Sequence, residues 1–279
     1  MPPADANLKD VSTHFGFGDN WKDYIHHVDA DIVAEAEAGI LEMVDIGTLQ
    51  GARFLDIGSG SGIHSLAALQ LGVRELVAMD IDPASVEATS TLLARAPKDR
   101  PVDIREMSIF DATPENMGLF DVVYSWGVLH HTGAMWQAVE QAAKLVKPGG
   151  TLALALYQKR AACGLWTVEK RFYTRSGPRV RGLIRKLYKA AFFAGLLATG
   201  RSPARYVREY RTRRGMNFDN DIHDWLGGYP YESATCDETR DRLTAMGFTL
   251  VKSKRLKPTL GILGTGCAEY TFVNHVRAA

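Results

Sequence analysis

The chain has 279 residues, of which 46% are hydrophobic and 23% charged, and a formal net charge of +1. This composition is ordinary for a folded globular protein and excludes a disordered, collagen-like or disulfide-rich class. The longest apolar run, AAFFAGLLA at Ala190 to Ala198, is far shorter than the roughly 20 residues that span a bilayer, so we expect no transmembrane segment.

The N-terminus and the cysteines indicate the compartment. The first residues, MPPADANLKD, contain neither a basic region nor an apolar core, so we expect no secretory signal and a cytoplasmic protein. Cys163, Cys236 and Cys267 are widely spaced and form no C-x-x-C pair. We therefore expect no disulfide framework, no zinc site and no iron–sulfur cluster.

Hydrophobic periodicity predicts strands that alternate with helices after a helical N-terminal region at 1–50. The predicted strands are Arg53–Ile57, a strand closing at Asp80, Val102–Met107, Phe120–Ser125, Thr151–Tyr157 and a C-terminal pair in GFTLVKSKRL and CAEYTFVNHV. The predicted helices start near Ile63 and then cover Pro83–Ala96, Thr132–Val146 and Glu238–Met246, with KPGG at Lys147–Gly150 as a helix stop. Such alternation predicts an α/β fold with a doubly wound parallel sheet.

The turn after the first strand carries the most informative motif, FLDIGSGSG at Phe54–Gly62. Glycines at the start of a helix let a ligand touch the backbone N–H groups. A dinucleotide fingerprint needs G-x-G-x-x-G, but the position of its third glycine is occupied by Ile63, and the chain has G-x-G-x-G instead. The spacing therefore favours a different nucleoside cofactor.

With Asp56 before this loop and Asp80 closing the next strand, the sequence resembles the class I S-adenosylmethionine-dependent methyltransferases. The resemblance implies a Rossmann-like seven-stranded sheet, mostly parallel with an antiparallel last strand. It also implies S-adenosyl-L-methionine as cofactor and S-adenosyl-L-homocysteine as product. The cofactor-binding residues that it implies are Asp56, Gly58, Ser59, Gly60, Ser61, Gly62, Asp80, Ile81, Ser108, Ile109, Ser125 and Trp126.

The segment after the fourth strand is SWGVLHHTG at Ser125–Gly133, and it lies where the family that the sequence resembles binds its substrate. It lacks the Asn/Asp-Pro-Pro-Tyr/Phe motif of amino-group methyltransferases and the thiol of cytosine-C5 enzymes. It resembles small-molecule methylases of the bacterial quinone-biosynthesis kind. His131 is our first candidate for the group that accepts a proton, with His130 and Tyr229 as further catalytic candidates. A structural histidine at a helix start is the competing interpretation, and adjacent histidines do not suit a metal site.

Two other segments supply substrate-binding candidates. Trp21 and Tyr24 belong to the N-terminal region, which we interpret as a helical lid over the cofactor, and packing on the sheet is the alternative. DIHDWLGGYPYE at Asp221–Glu232 concentrates aromatic, acidic and glycine residues, as loops that line sites do. From it we take His223 and Tyr231, with Tyr229, as acceptor-pocket residues.

The predicted organisation is a lid at 1–50, a cofactor-binding core at 51–157 and 236–279, and a basic helical insertion at 158–235. The segment from Lys159 to Arg214 contains sixteen Lys or Arg residues but only two Glu residues and no Asp. Arg181, Arg185 and Lys189 share one helical face, and the apolar residues Leu183, Ile184, Leu187, Tyr188 and Ala191 suit another. The insertion could be a solvated outer face, a cap that recognises phosphate or carboxylate, or a surface for anionic membrane or nucleic acid.

We expect methyl transfer to a small anionic or phenolic molecule, with oxygen as the methylated atom. One alternative is an acceptor linked to a carrier, lipid or peptide and bound by the basic insertion. A second is a non-catalytic module that binds RNA or lipid on the same fold. The sequence leaves the acceptor, the atom methylated and the oligomeric state open.

Overall fold

The computed structural model describes residues 8, 16–96, 98–214, 218–257, 259–261 and 264–275. Parts of the predicted lid (1–7 and 9–15), of the insertion (215–217) and of the C-terminal segment (258, 262–263 and 276–279) lie outside the described residues. Seven strands form one sheet in the order β3-β2-β1-β4-β5-β7-β6. Their bounds are β1 Arg53–Ile57, β2 Glu75–Asp80, β3 Val102–Glu106, β4 Phe120–Trp126, β5 Val146–Tyr157, β6 Phe248–Lys254 and β7 Cys267–Asn274.

The first five strands are parallel to one another, and β7 is antiparallel to both of its neighbours, β5 and β6. This topology confirms the predicted Rossmann-like sheet with an antiparallel last strand. The chain order reverses between β1 and β4, and in doubly wound sheets ligands bind at the carboxyl ends of the strands at this switch point. The glycine loop after β1 and the Leu-His-His segment after β4 both lie there.

Helices cover both faces of the sheet, and others form the lid and the insertion. Those in the described residues are α1 Gly18–Tyr24, α2 Ala30–Met43, α3 Ile46–Leu49, α4 Ile63–Gln70, α5 Pro83–Leu93, α6 Pro114–Met117, α7 Met135–Lys144, α8 Cys163–Arg175, α9 Pro178–Ala198, α10 Pro203–Arg214, α11 Phe218–Gly227 and α12 Cys236–Ala245. One apolar core lies under α7 and α12, and a second lies under α2, α4 and α5. Within the described residues, no helix is both long enough and apolar enough to cross a membrane.

The largest difference from the predicted boundaries lies between α7 and β5. Helix α7 ends at Lys144 rather than Val146, and Lys147–Gly150 belongs to β5 rather than to a stop before it. The reason is that Val146 already pairs with Phe120 of β4 before the register shifts to Thr151 opposite Val122. The strand therefore begins five residues earlier than the apolar run that predicted it.

The insertion leaves and re-enters the core at one point. Ala234 donates its N–H to the Tyr157 carbonyl at 3.0 Å and accepts from the Lys159 N–H at 2.8 Å. Helices α8, α9, α10 and α11 lie between these two ends and contribute to a separate apolar cluster around Trp166, Tyr173 and Phe218. The insertion is thus packed around its own core beside the carboxyl end of β5.

Candidate functional site

The glycine loop between β1 and α4 has a conformation that only glycine adopts easily. Gly58, Gly60 and Gly62 have φ angles of +74°, +55° and +80°, and the left-handed region costs other residues about 1–2 kcal/mol. A Cβ on Gly58 would lie 2.4 Å from the side chain of Val128, and one on Gly62 would lie 2.9 Å from Cα of Thr89. The loop is therefore a tight cradle that exposes backbone rather than side chains.

The two serines of the motif stabilise this cradle. The Ser59 hydroxyl lies 2.9 Å from that of Thr89, which also donates to the Gly60 carbonyl at 3.1 Å. Ser61 is buried beside the start of α4, where its hydroxyl accepts weakly from the Ile63 N–H at 3.4 Å. Helix α5 and the loop are therefore held together by hydroxyl groups.

Asp80 closes β2 directly beside the cradle and is followed by Ile81. Its two carboxylate oxygens accept from the Gly60 N–H at 3.0 Å and the Asp82 N–H at 2.9 Å. Burial raises the pKa of Asp80 to about 6, and these backbone bonds oppose the rise. A carboxylate has about four acceptor positions, so Asp80 keeps acceptor capacity for a hydroxyl donor of a ligand.

Asp56 lies in β1 and is only 2% exposed. It accepts a hydrogen bond from the Ser65 hydroxyl of α4 at 2.7 Å. Burial raises its pKa to about 7, the Ser65 bond lowers it, and the charge of Asp80 adds to the rise. Asp56 is therefore a buried carboxyl behind the cradle, and its pKa lies near neutral pH. A change of ligand or of pH can then change its charge.

The candidates after β3 and β4 line the same edge of the sheet. Ser108 and Ile109 follow β3 and are both buried, with the Ser108 hydroxyl accepting from the Phe110 N–H at 3.3 Å. Ser125 is buried and donates to the Ile57 carbonyl at 3.1 Å. Trp126 is 42% exposed and donates its ring N–H to Glu269 of β7 at 3.1 Å. The first three therefore adjoin the cofactor crevice, whereas Trp126 is directed across to the antiparallel strand.

Helix α1 covers the cradle. A Cβ on Gly60 would lie 3.0 Å from the ring nitrogen of Trp21, so the indole sits directly on the loop. Tyr24 meets Trp21 edge-on, with ring centroids 5.9 Å apart, and the Gly18 N–H donates to Asp82 at 2.9 Å. Of the region predicted as a lid, α1 lies over the glycine loop, whereas α2 and α3 pack into the apolar core beside α4.

His131 ends the short 3-10 helix Leu129–His131 after β4. Its Nδ1 lies 2.8 Å from the carbonyl oxygen of Pro230, so Nδ1 carries a proton and donates it there. In the neutral ring, Nε2 is then the acceptor. The ring is enclosed by Phe17 at 5.5 Å and Tyr157 at 5.3 Å between centroids, and a Cβ on Gly228 would lie 2.7 Å from its Cε1.

His130 has a different environment, because it is fully buried. Its ring lies 3.9 Å from that of Tyr157 between centroids, and its Nδ1 accepts weakly from the Tyr157 N–H at 3.4 Å. Burial, with the charges of His131 and Lys170, holds its pKa well below the ordinary value, so the ring is neutral. Its Nε2 makes no hydrogen bond with any described residue.

The remaining predicted residues lie in or beside the insertion. The Tyr231 hydroxyl lies 3.0 Å from that of Thr265, and its ring is tilted against that of Tyr157, with the centroids 5.2 Å apart. Tyr229 precedes Pro230 and is 6% exposed. His223 bonds through Nδ1 to the Tyr173 hydroxyl at 2.6 Å, and burial, with Arg185 and Arg181, lowers its pKa to about 4. Tyr229 and Tyr231 thus adjoin the Leu-His-His corner, whereas the contacts of His223 lie inside the insertion.

Sequence reasoning missed a group of buried polar residues under the insertion. Lys170 is fully buried, with its Nζ 3.8 Å from the centroid of Trp225 and 5.4 Å from that of Tyr231. Among the described residues, Nζ of Lys170, Nε1 of Trp225 and one carboxylate oxygen of Asp224 have no hydrogen-bond partner. Asp224 and Trp225 fall within the aromatic segment already singled out, but nothing distinguished Lys170 from the other fifteen basic residues nearby.

Asp224 also connects the insertion to the lid. Its other oxygen accepts a short hydrogen bond from the Asn20 amide of α1. Burial raises the pKa of Asp224 to about 8, although the Asn20 bond opposes this. As for metals, the described part of the chain contains no cluster of three His, Cys, Asp or Glu side chains that could hold an ion.

Comparison with known proteins agrees with this geometry. Residues 55–154 match a family model described as a methyltransferase domain. Residues 55–154 are therefore similar to a methyltransferase domain. It is 33% identical over 152 residues to the ubiquinone biosynthesis O-methyltransferase of Xanthomonas campestris, a match covering 54% of this chain and 62% of the relative. The chain thus spans less than two thirds of that relative's length.

Two solved structures show the same fold. Magnesium protoporphyrin IX methyltransferase from Synechocystis PCC 6803 with bound S-adenosylmethionine aligns with a TM-score of 0.55 at 15% identity, covering 98% of this chain and 99% of that one. PKMT2 from Rickettsia typhi in complex with AdoHcy aligns with a TM-score of 0.56 at 14% identity, covering 89% of this chain and 54% of that one. The methyltransferase domain here has a glycine cradle, two acidic strand residues and an aromatic cover that fit S-adenosylmethionine.

Proposed function

We propose that this protein transfers a methyl group from S-adenosylmethionine to an oxygen of a small phenolic or anionic acceptor. The observation that carries the proposal is the position of His131 in the switch-point crevice, where Nδ1 donates to the Pro230 carbonyl, so that Nε2 is the acceptor atom of the neutral ring. The likeness to an O-methyltransferase over 152 residues supports the choice of oxygen.

The cofactor supplies an activated methyl group on a sulfonium centre. In our proposal, backbone N–H groups of the glycine loop hold its amino-acid end, and the free acceptor positions of Asp80 bind the ribose hydroxyls. Trp21 covers the loop with an aromatic face, and an aromatic ring near a cation contributes about 1 kcal/mol. Asp56, buried behind the loop, would orient the amino-acid end through backbone or water contacts.

We assign the proton transfer to His131. The Pro230 carbonyl fixes the tautomer, so that Nε2 can take the proton of an acceptor hydroxyl while Nδ1 remains bonded. Phe17 and Tyr157 surround the ring and would exclude water that competes for this proton. A positioned base of this kind contributes typically 10²–10⁴-fold to the rate.

The buried polar group under the insertion supports a small acceptor with negative charge. Unpaired buried polar atoms are rare in folded proteins, because each one costs roughly 1–3 kcal/mol. Lys170 Nζ, Trp225 Nε1 and His130 Nε2 meet around the rings of Tyr157 and Tyr231. A phenolate or carboxylate would satisfy Lys170 and the Trp225 N–H, and the surrounding aromatic rings would stack on a phenyl group.

The first test is ligand binding and methyl transfer. We expect calorimetry to detect binding of S-adenosylmethionine and S-adenosylhomocysteine but not of NAD. Incubation with cofactor carrying a deuterated methyl group and a panel of phenols and aromatic carboxylates should then give labelled methyl ethers or esters by mass spectrometry. Tight uptake of NAD without affinity for S-adenosylhomocysteine would contradict the cofactor assignment.

The second test concerns the base. We expect His131→Gln to keep cofactor affinity within a few-fold and to reduce turnover at least about 10²-fold. His27→Gln is the matched control, because His27 is exposed and lies outside the site. Unchanged turnover of His131→Gln would reject the role of His131 as base.

A further inference from the structure

Two helices of the insertion expose an unusual amount of apolar surface. Seven of the fourteen exposed large apolar side chains among the described residues lie on α8 and α9: Leu165, Val168, Phe172, Val180, Leu183, Leu187 and Leu197. Leu165 is 70% exposed, Phe172 60% and Leu187 62%. Single exposed leucines need no explanation, but contiguous patches mark interaction sites.

The exposed residues follow helical spacing on both elements. Leu165, Val168 and Phe172 are separated by three and four residues on α8, and Val180, Leu183 and Leu187 repeat these intervals on α9. Residues at such intervals share one face of a helix. Each of the two helices therefore has a continuous apolar stripe directed away from the core of the insertion.

Helix α9 has apolar residues on its outer as well as its inner side, whereas a surface helix usually has them only on the side that faces the core. Arg181 is half-buried and donates to the carbonyls of Tyr173 and Thr174, and Lys189 forms an ion pair with Asp219 at 2.5 Å. Aromatic residues of the same helix, among them Phe192, already fill its inner side. The inner side of α9 is thus packed without Leu183 and Leu187, which stay exposed.

Positive charge surrounds these stripes. The segment from Lys159 to Arg214 has sixteen basic and two acidic residues, and Arg175, Arg179 and Lys186 are exposed on the two helices that carry the stripes. Exposed leucines flanked by Arg and Lys are the pattern of helices that lie in the interface of an anionic membrane. There, basic residues near the surface are attracted by the negative potential of the lipid headgroups.

We propose that α8 and α9 dock the protein on the surface of an anionic lipid bilayer, with their apolar stripes in the headgroup region. A second copy of this chain fits the face less well, because self-association would bring two strongly basic segments together. Nucleic acid fits less well because its phosphates would match the basic residues but leave the leucines against water. Since no described helix can span a bilayer, we infer binding in the plane of the surface.

The test uses the full chain and co-sedimentation with lipid vesicles, without cofactor or acceptor, so that its outcome is independent of the proposed methyl transfer. We expect binding to vesicles containing phosphatidylglycerol, weaker binding in high salt and little binding to pure phosphatidylcholine. The double variant Leu183→Gln, Leu187→Gln should bind at least about tenfold more weakly, because it removes two apolar side chains from the surface that enters the bilayer.

Val251→Gln is the matched control, because Val251 is 54% exposed on β6, away from the insertion, and should bind as the unsubstituted chain does. Equal binding of the double variant and the control would overturn the proposal, as would no preference for anionic lipid. A concentration-dependent dimer in the absence of lipid that the double variant abolishes would also overturn it and assign the face to a second copy.

Discussion

Asp56 offers a test in which stability and ligand binding change in opposite directions. The buried carboxyl has a pKa of about 7 in the folded chain against a reference of 3.8. Between these values the folded state keeps a proton that the unfolded state has lost. The free energy of unfolding therefore falls as pH rises from about 4 to 7. Asp56→Asn removes this titration and retains an oxygen that can accept from Ser65.

The magnitude follows from the size of the shift. One pKa unit corresponds to 1.36 kcal/mol, so the shift from 3.8 to about 7 lowers the stability of the unsubstituted chain by about 4 kcal/mol at pH 8. At pH 5 the same calculation gives a loss of roughly 1.7 kcal/mol. The stability advantage of Asp56→Asn should therefore grow by about 3 kcal/mol between pH 5 and pH 8.

The assay is urea unfolding of both chains at pH 5 and pH 8, with Ser65→Ala to separate loss of the hydrogen bond from loss of the charge. At pH 8, calorimetry should show weaker S-adenosylmethionine binding by Asp56→Asn in spite of its higher stability. A difference in unfolding free energy that is the same at both pH values would refute the assignment of a raised pKa to Asp56.

Two further predictions concern the cradle. Gly51 has a φ of +74° and lies in open space, so Gly51→Ala should lower the free energy of unfolding by about 1–2 kcal/mol. Gly62 has a φ of +80° and a Cβ there would lie 2.9 Å from Thr89, so Gly62→Ala should lower it further and also lose cofactor binding. Equal losses in urea unfolding would show that the close approach of Thr89 to Gly62 is unimportant. Trp21→Ala should weaken S-adenosylmethionine binding about fivefold, corresponding to roughly 1 kcal/mol, and an unchanged dissociation constant by calorimetry would remove Trp21 from the cofactor site.

The sequence predicted the sheet because its information is local. Apolar strands alternate with periodic helices along the first five strands, and FLDIGSGSG specifies both the turn after the first strand and the edge of the sheet where it must lie. The beginning of β5 was mispredicted because Val146 takes part in the sheet by pairing with Phe120. The KPGG sequence at Lys147–Gly150 has no strand pattern, so it does not predict this pairing.

The surroundings of the candidate site depended on contacts between distant segments. Asn20 bonds to Asp224 across 204 positions, and neither residue carries a pattern that pairs it with the other. Lys170 is one basic residue among sixteen, and only the packing of Trp225 and Tyr231 over it distinguishes it from its neighbours. The helical period of α9 likewise grouped Leu183 and Leu187 with Ile184 and Tyr188, but the structure packs Ile184 and Tyr188 on the core of the insertion and leaves the two leucines exposed.

Helix α1 links the two halves of the proposed site. Trp21 lies on the glycine loop, Phe17 contacts the ring of His131, and Asn20 bonds to the insertion at Asp224. The element that covers the glycine loop therefore also contacts the residues that we propose to bind the acceptor. Because α1 is only seven residues long and an isolated helix of that length is unstable in water, its position depends on these contacts. The same contacts of α1 thus determine how the glycine loop is covered and how the proposed acceptor site is enclosed.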